Sequence, residues 1–209
     1  MGLRDLGLRD LGLRDLGLRD LRAEFGEIDI YLFDQLLRGR LRPGMRVVDA
    51  GCGGGRNLVY LLRAGYEVFG ADSDPDAIRS VRALASTLAP TLPTDNFRAE
   101  AVEHMTFPSA FADVVIGSAL LHFARDTAQF DAMAAGMWRV LKPGGLLFAR
   151  MASSIGMEDR VRPLGGRRFL LPDGSERYLV DESTLGQLAG TLGAVMVDPL
   201  KTTIVQNQR

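Results

Sequence analysis

The sequence predicts an α/β protein: a doubly wound, mostly parallel sheet with helices on both faces. Three observations lead there. Between residues 46 and 151, short apolar runs alternate with segments of helical periodicity, the pattern of strands joined by helical crossovers. The first run, Val47 to Ala50, flows into Gly51, Gly53, Gly54 and Gly55, a turn no strand or helix would choose, and then into Leu58, Leu61 and Leu62 at helical spacing. A later run, Ala112 to Gly117, is apolar almost throughout, as the centre of a parallel sheet requires.

The elements follow in order. Residues 2–21 are four copies of Gly-Leu-Arg-Asp-Leu. A period of five matches neither 3.6 nor 2, so no amphipathic face results and residues 1–22 read as a low-complexity extension; the alternative is a partner or homodimer segment that covers the leucines. Residues 23–209 read as one domain. Glu24 to Arg38 is expected as a single helix, with Ile28, Leu32, Phe33, Leu36 and Leu37 near one face. Gly39 and Pro43-Gly44 then break the chain. After the Gly-rich turn and its helix, Tyr66 to Ala71 is a second strand that ends at Asp72. Asp74 caps a helix starting at Pro75 and reaching about Ala85. Asn96 to Ala99 is a third strand and Ala112 to Gly117 a fourth. Asp126 opens a helix to about Leu141, the turn Lys142-Pro143-Gly144-Gly145 stops it, and Leu146 to Met151 is a fifth strand. Residues 152–180 depart from this alternation. Phe169–Leu171 and Tyr178–Val180 flank Pro172-Asp173-Gly174, which predicts a small hairpin insertion after strand five. Asp181 caps a helix to about Leu192, and Ala194 to Val205 is expected as a sixth strand, with a final strand missing unless Thr202 to Val205 supply it.

The Gly-rich turn is a ligand site by its chemistry, because bare backbone and unpaired amides at a helix start suit polar or anionic atoms. A dinucleotide fingerprint would place a third glycine where Arg56 stands, which weakens a nicotinamide-dependent oxidoreductase reading. Asp72 lies 21 residues beyond Gly51, at the end of the neighbouring strand, where a carboxylate accepts from ribose hydroxyls.

The stretch Val47–Asn57 resembles motif I of the class I S-adenosylmethionine-dependent methyltransferases. Gly55-Arg56-Asn57 and Gly65-Tyr66-Glu67-Val68 resemble in particular the tellurite-resistance and thiopurine methyltransferase-like branch, and Leu141-Lys142-Pro143-Gly144-Gly145 strengthens the likeness. The resemblance implies the Rossmann-like class I methyltransferase fold, S-adenosyl-L-methionine as cofactor, and in-line methyl transfer to a small-molecule acceptor. It implies cofactor contacts at Asp49, Gly51, Cys52, Gly53, Arg56, Asn57, Asp72, Ser73 and Ser118, with Glu100 and Ala101 beside the adenine. It implies acceptor contacts from Tyr31 on a lidding helix, from His122 at the end of strand four, and from Arg150. His122 is the candidate catalytic base where the acceptor needs deprotonation. Methyl transfer from a sulfonium asks the protein mainly for orientation and exclusion of water, so no nucleophile motif is expected.

Composition bounds the rest. Lys plus Arg number 25 against 26 Asp plus Glu, so no global field draws the chain to nucleic acid or an anionic membrane. The single cysteine, Cys52, excludes an internal disulfide and suits a reducing cytoplasm. No metal-ligand spacing is visible. Arg150, Arg160, Arg162, Arg167 and Arg168 gather around the insertion against Glu158 and Asp159, which reads either as a solvated basic loop or as a site for an anionic acceptor. A non-catalytic binding protein, using the repeats and the hairpin, is the remaining alternative.

Overall fold

The computed structural model describes residues 20–204, so the expectation for the Gly-Leu-Arg-Asp-Leu repeats lies almost wholly outside the described residues. Five strands form one parallel sheet in the order β3-β2-β1-β4-β5. They are β1 (Arg46–Ala50), β2 (Glu67–Asp72), β3 (Phe97–Ala99), β4 (Ala112–Ser118) and β5 (Leu141–Arg150). The chain enters at the centre, winds outward to β3, then crosses back to β4 and β5. The topological switch point therefore lies between β1 and β4, where such sheets open their ligand crevice.

Strand residues alternate between two cores. Val48, Ala50 and Val115 face one, packed by Phe130, Met133 and Met137 of α5 (Thr127–Val140). Val47, Val114 and Ile116 face the other, against Leu61 and Leu62 of α3 (Val59–Arg63) and Ile78, Val81 and Ala85 of α4 (Pro75–Leu88). Because the side-chain period of a strand is two, burying both faces demands the continuous apolar runs that the sequence shows. Asp74 accepts from the Asp76 amide ahead of Pro75, and Asp126 from the Gln129 amide, so both helix starts form where their sequence signatures stand. The Lys142–Gly145 turn is looped out of the ladder: Ala112 pairs with Leu141, and the register resumes at Val114 with Leu146.

Three elements differ from the sequence expectation. The single helix over Glu24–Arg38 is two, α1 (Leu21–Phe25) and α2 (Ile30–Leu37). Gly26, at φ +64°, turns the chain between them and leaves Asp29 to cap α2. The insertion adds a strand, β6 (Arg162–Gly165), to the expected hairpin of β7 (Arg168–Leu170) and β8 (Glu176–Tyr178), making a three-stranded antiparallel sheet. After α6 (Glu182–Leu192), capped by Asp181 and closed by Gly193, residues 194–204 form no strand. Val195, Met196 and Val197 are exposed there. Their apolar, β-branched character cannot make a strand without a partner, and the Ala194–Val205 expectation is corrected over its described part. This segment instead runs back to α2: Arg40 holds Asp198 at 2.5 and 3.0 Å, and the Tyr31 hydroxyl meets the Thr203 hydroxyl at 2.7 Å.

Candidate active site

The carboxyl ends of β1, β2 and β4 open onto a cleft with two joined chambers. One, of about 490 Å3, is lined by Gly26 and Glu27 from the α1–α2 turn, by Gly51 to Asn57, and by Ser118 and Ala119. The other, of about 400 Å3, is lined by Gly51, Asp72, Ser73, Ala101, Val102, Glu103, Ala119, Leu120, Phe123, Gln129 and Met133. Gly51 and Ala119 belong to both and form the waist. Gly51 is held at φ +70°, and a Cβ there would stand 2.6 Å from Leu120 Cδ1, so only glycine keeps the waist open. Opposite it, Ala119 adopts φ +59°, a conformation unfavourable for an L-residue; its amide donates to the Arg150 carbonyl at 2.7 Å.

Two aspartates sit where the strands end. Asp49 is 1% exposed beneath the Gly-rich turn, and its Oδ2 is the one buried side-chain polar atom without a hydrogen-bond partner among the described residues. Burial, with the Asp72 charge adding to it and Arg56 opposing it, pushes its carboxyl up to about 7. Such an orphaned acceptor is costly unless a ligand donates to it. Asp72 accepts from the Gly53 amide through Oδ2 and from the Asp74 amide through Oδ1, both at 2.9 Å. These bonds hold the Gly-rich turn against β2, and the carboxylate still borders the second chamber. Ser73 and Ala101 line that chamber beside it. Glu100 does not: its carboxylate turns away to the Thr106 amide and hydroxyl at 3.0 and 2.8 Å, while Glu103, fixed by Gln129 at 2.9 Å, takes the place on the wall. Cys52 lines the first chamber, but burial raises its thiol far above the usual range, so it packs rather than reacts.

A residue outside the motif ties the first chamber together. Asp29 is buried, and its Oδ2 accepts from Ser118 Oγ at 2.8 Å and from Arg150 Nε, while Oδ1 caps α2 through the Tyr31 amide at 3.0 Å. The Asp29 amide donates to Asn57 Oδ1 at 3.0 Å, and Arg56 bonds Ser118 Oγ at 3.0 Å. Burial works to raise the Asp29 carboxyl, but Ser118, Arg150 and the Tyr31 amide together hold it below the ordinary carboxylate value. The α1–α2 turn is thus latched to the ends of β4 and β5. Sequence reasoning singled out Arg56, Asn57, Ser118 and Arg150 but missed Asp29; its signal was only that of a helix cap before Ile30.

The acceptor expectations fare unevenly. Tyr31 reaches Thr203 and lines neither chamber, and Arg150 is engaged by Asp29. His122 sits in a one-turn 3-10 helix, Leu121–Phe123, and its Nδ1 accepts from the Ala152 amide at 3.2 Å. Burial, with Arg177 and Arg150 nearby, lowers the imidazole to about 4. A ring that accepts at Nδ1 and stays neutral carries its proton on Nε2, so it presents a donor, not a base. The neutral ring argues against the general-base role expected for His122.

Residues 48–149 match the family described as a methyltransferase domain. An uncharacterized methyltransferase, sll0829, of Synechocystis sp. is 33% identical over 106 residues, 51% of this chain and 46% of that protein. The ubiquinone biosynthesis O-methyltransferase of Chelativorans sp. is 28% identical over 168 residues, 78% of this chain and 63% of that one. Among solved structures, the PH0226 protein of Pyrococcus horikoshii OT3 has a TM-score of 0.64 at 21% identity, covering 84% of this chain and 90% of its own. The fold is that of a Rossmann-like α/β domain with its cleft at the carboxyl ends of the strands. Within it, residues 48–149 resemble the methyltransferase domains of these proteins. The chain spans about half the length of the curated relatives it matches.

Proposed function

We propose that the protein is an S-adenosyl-L-methionine-dependent methyltransferase acting on a small-molecule acceptor. The observation that carries this reading is the cleft itself: a buried, unpartnered Asp49 oxygen beneath a Gly-rich turn, with Asp72 on the wall of the adjoining chamber. This chemistry fits the cofactor. Asp49 suits an ammonium group, the Gly51–Gly55 backbone a close-lying chain, and Asp72 the ribose hydroxyls. When bound, the cofactor supplies an electrophilic methyl group on a sulfonium with its leaving group built in. The chain's own residues then bind, orient and shield: Gly51 and Ala119 narrow the waist, and Asp29 closes the α1–α2 turn over the first chamber. His122 offers an Nε2 hydrogen to an acceptor oxygen and removes no proton.

The acceptor class is a small molecule of the kind that relatives methylate, one of which is a ubiquinone biosynthesis O-methyltransferase. Membership of the tellurite-resistance and thiopurine-like branch rests on Gly55-Arg56-Asn57 and Gly65–Val68 alone, and the curated relatives favour the O-methyltransferase reading over it. A balance of 25 basic against 26 acidic residues argues against a nucleic-acid partner. No helix among the described residues is long and apolar enough to cross a membrane, and together with a lone buried cysteine this supports a cytoplasmic location. A homodimer is the assembly that would cover the leucines of the repeats.

Calorimetric titration with S-adenosylmethionine, S-adenosylhomocysteine and NAD tests the reading. Micromolar binding of the two adenosyl compounds, lost in Asp72→Ala and absent for NAD, is expected. A folded protein that binds neither adenosyl compound refutes the proposal, and binding of NAD alone favours the oxidoreductase alternative.

A further inference from the structure

The five arginines that cluster in the sequence around the insertion separate once their partners are known. Arg150 is engaged by Asp29, Arg167 by Asp181 at 2.7 Å and the Leu179 carbonyl at 2.9 Å, and Arg168 by Glu176 at 2.9 Å. Arg160 and Arg162 are exposed. A sixth, Arg177 on β8, behaves differently. It is half-buried, forms no ion pair among the described residues, and hydrogen-bonds only the Glu176 carbonyl at 2.8 Å. The carboxylate of Asp173 feels its charge but is engaged by the Ser175 amide and hydroxyl at 2.9 and 2.7 Å.

Its guanidinium stands 4.8 Å from the centroid of Phe123, a ring that is 56% exposed and lines the second chamber. The His122 ring lies 4.5 Å from the same Phe123. A fork of donors and an imidazole therefore flank the exposed Phe123 ring, which lines the cleft. Three guanidiniums, Arg56, Arg150 and Arg177, surround this end of β4; the buried Asp29 engages the first two, Arg56 also acts on the buried Asp49, and Arg177 has no ion-pair partner among the described residues. A half-buried guanidinium that makes no ion pair among the described residues keeps its fork of donors open to an anion, and a planar fork matches a carboxylate in particular.

We propose that Arg177, with Phe123 and His122, recognises the carboxylate of an aromatic acceptor, so that the substrate class is a small aromatic acid. This deepens the methyltransferase reading and rests on it. The insertion sheet is then the specificity element, since β8 carries Arg177 to the rim while Arg167 and Arg168 fasten the same sheet to Asp181 and the Ala124 carbonyl.

The test uses the full chain saturated with S-adenosylhomocysteine, and benzoate against its neutral isostere benzamide as probes, read by calorimetry and by the shifts of the His122 ring protons. Binding of S-adenosylhomocysteine is measured first, because its failure overturns the function reading itself, and this proposal with it. Where it binds, benzoate is expected to bind at least tenfold more tightly than benzamide and to move the His122 signals. Arg177→Ala should abolish that preference, and Arg177→Lys, which keeps charge and bulk and guards against a folding defect, should retain only part of it. Affinity for S-adenosylhomocysteine should stay within twofold in both. Equal binding of the two probes, no benzoate binding to the loaded protein, or a preference unchanged in Arg177→Ala overturns the proposal and leaves the cofactor assignment standing.

Discussion

Replacing Asp29 by alanine tests the latch most directly. The substitution removes the α2 cap, worth about 1 kcal/mol, and a buried charged bond to Ser118 Oγ, worth about 2 kcal/mol. The contacts to Arg150 and Arg56 add little, because those side chains are 43% and 45% exposed and rehydrate when released. The expected loss is about 3 kcal/mol, which at a urea slope of about 2 kcal/mol/M lowers the midpoint by about 1.5 M. Asp29→Asn keeps the Oδ1 that accepts from Tyr31 but offers Ser118 and Arg150 a donor or an uncharged oxygen. It should recover only the cap, about 1 kcal/mol. Urea unfolding followed by circular dichroism measures both variants. An asparagine protein as stable as the native one would refute the claim that the buried charge holds the turn. A loss under about 1 kcal/mol for alanine would refute the cap as well. The sign with pH is fixed by the depressed carboxyl: the latch contributes above the ordinary carboxylate range and is lost as pH falls through the lower folded value.

Further expectations concern the waist, the core and two buried groups whose titration is shifted, His122 and Asp49. Ala119→Gly relieves the φ of +59° and should raise the melting temperature by about 2–4 °C, a net gain of about 1 kcal/mol; an unchanged or lower value would mean that Ala119 is not strained. Gly51→Ala drives a methyl to 2.6 Å from Leu120 Cδ1 at a positive φ, and should weaken S-adenosylhomocysteine at least tenfold in titration, with Leu120→Ala failing to restore it because the backbone penalty remains. Gly136→Ala, whose Cβ would stand 2.5 Å from the Val102 carbonyl, should cost about 1–3 kcal/mol in the same urea assay, since backbone and not a flexible side chain must yield. His122, lowered to about 4 against an ordinary 6.5, contributes stability that is complete above pH 6.5 and lost towards pH 4. Asp49, raised to about 7, works oppositely: its contribution is complete below the ordinary 3.8 and is lost as pH rises through 7. Stability measured from pH 4 to 7 should therefore rise more with pH in Asp49→Asn and fall more with pH in His122→Gln than in the native protein; parallel curves for both variants would refute the pair of assignments.

What could be read from the chain follows from how local each feature is. The turn from β1 to α3 was legible because its glycines, its apolar strand and its leucines are consecutive, and the Asp74-Pro75 cap because two adjacent residues specify it. Asp72 was legible as the residue ending a strand beside another. The break at Gly26 was not, because Ile28 to Leu37 continue the helical period and a lone glycine only weakens a helix, whereas the buried Asp29 that fixes the break finds its partners 89 and 121 residues away. Residues 194–205 read as a strand from propensity, yet a strand exists only with a neighbour to pair with. β6, written Arg-Pro-Leu-Gly, carried no pattern to find. Glu100 and Glu103 were separable only by their partners, Thr106 and Gln129.

The same distinction explains why the cofactor side of the cleft was readable and the acceptor side was not. Backbone turns and strand ends build the first, and their residue requirements are written in consecutive positions. Side chains from α2, β4, β5 and β8 build the second, and which of them remains available depends on pairings across more than a hundred residues. Arg150, one of the acceptor residues expected from the sequence, is engaged by Asp29, while Arg177, absent from the sequence cluster, faces Phe123 without an ion-pair partner among the described residues. Converting Asp29 to alanine should then do more than destabilise: it frees Arg150 to compete for the same carboxylate. If Arg177 reads the acceptor because it alone is unpaired, the double variant Asp29→Ala/Arg177→Ala should regain part of the benzoate preference that Arg177→Ala loses. A double variant as indifferent to charge as the single one would show that position, not availability, selects the reader.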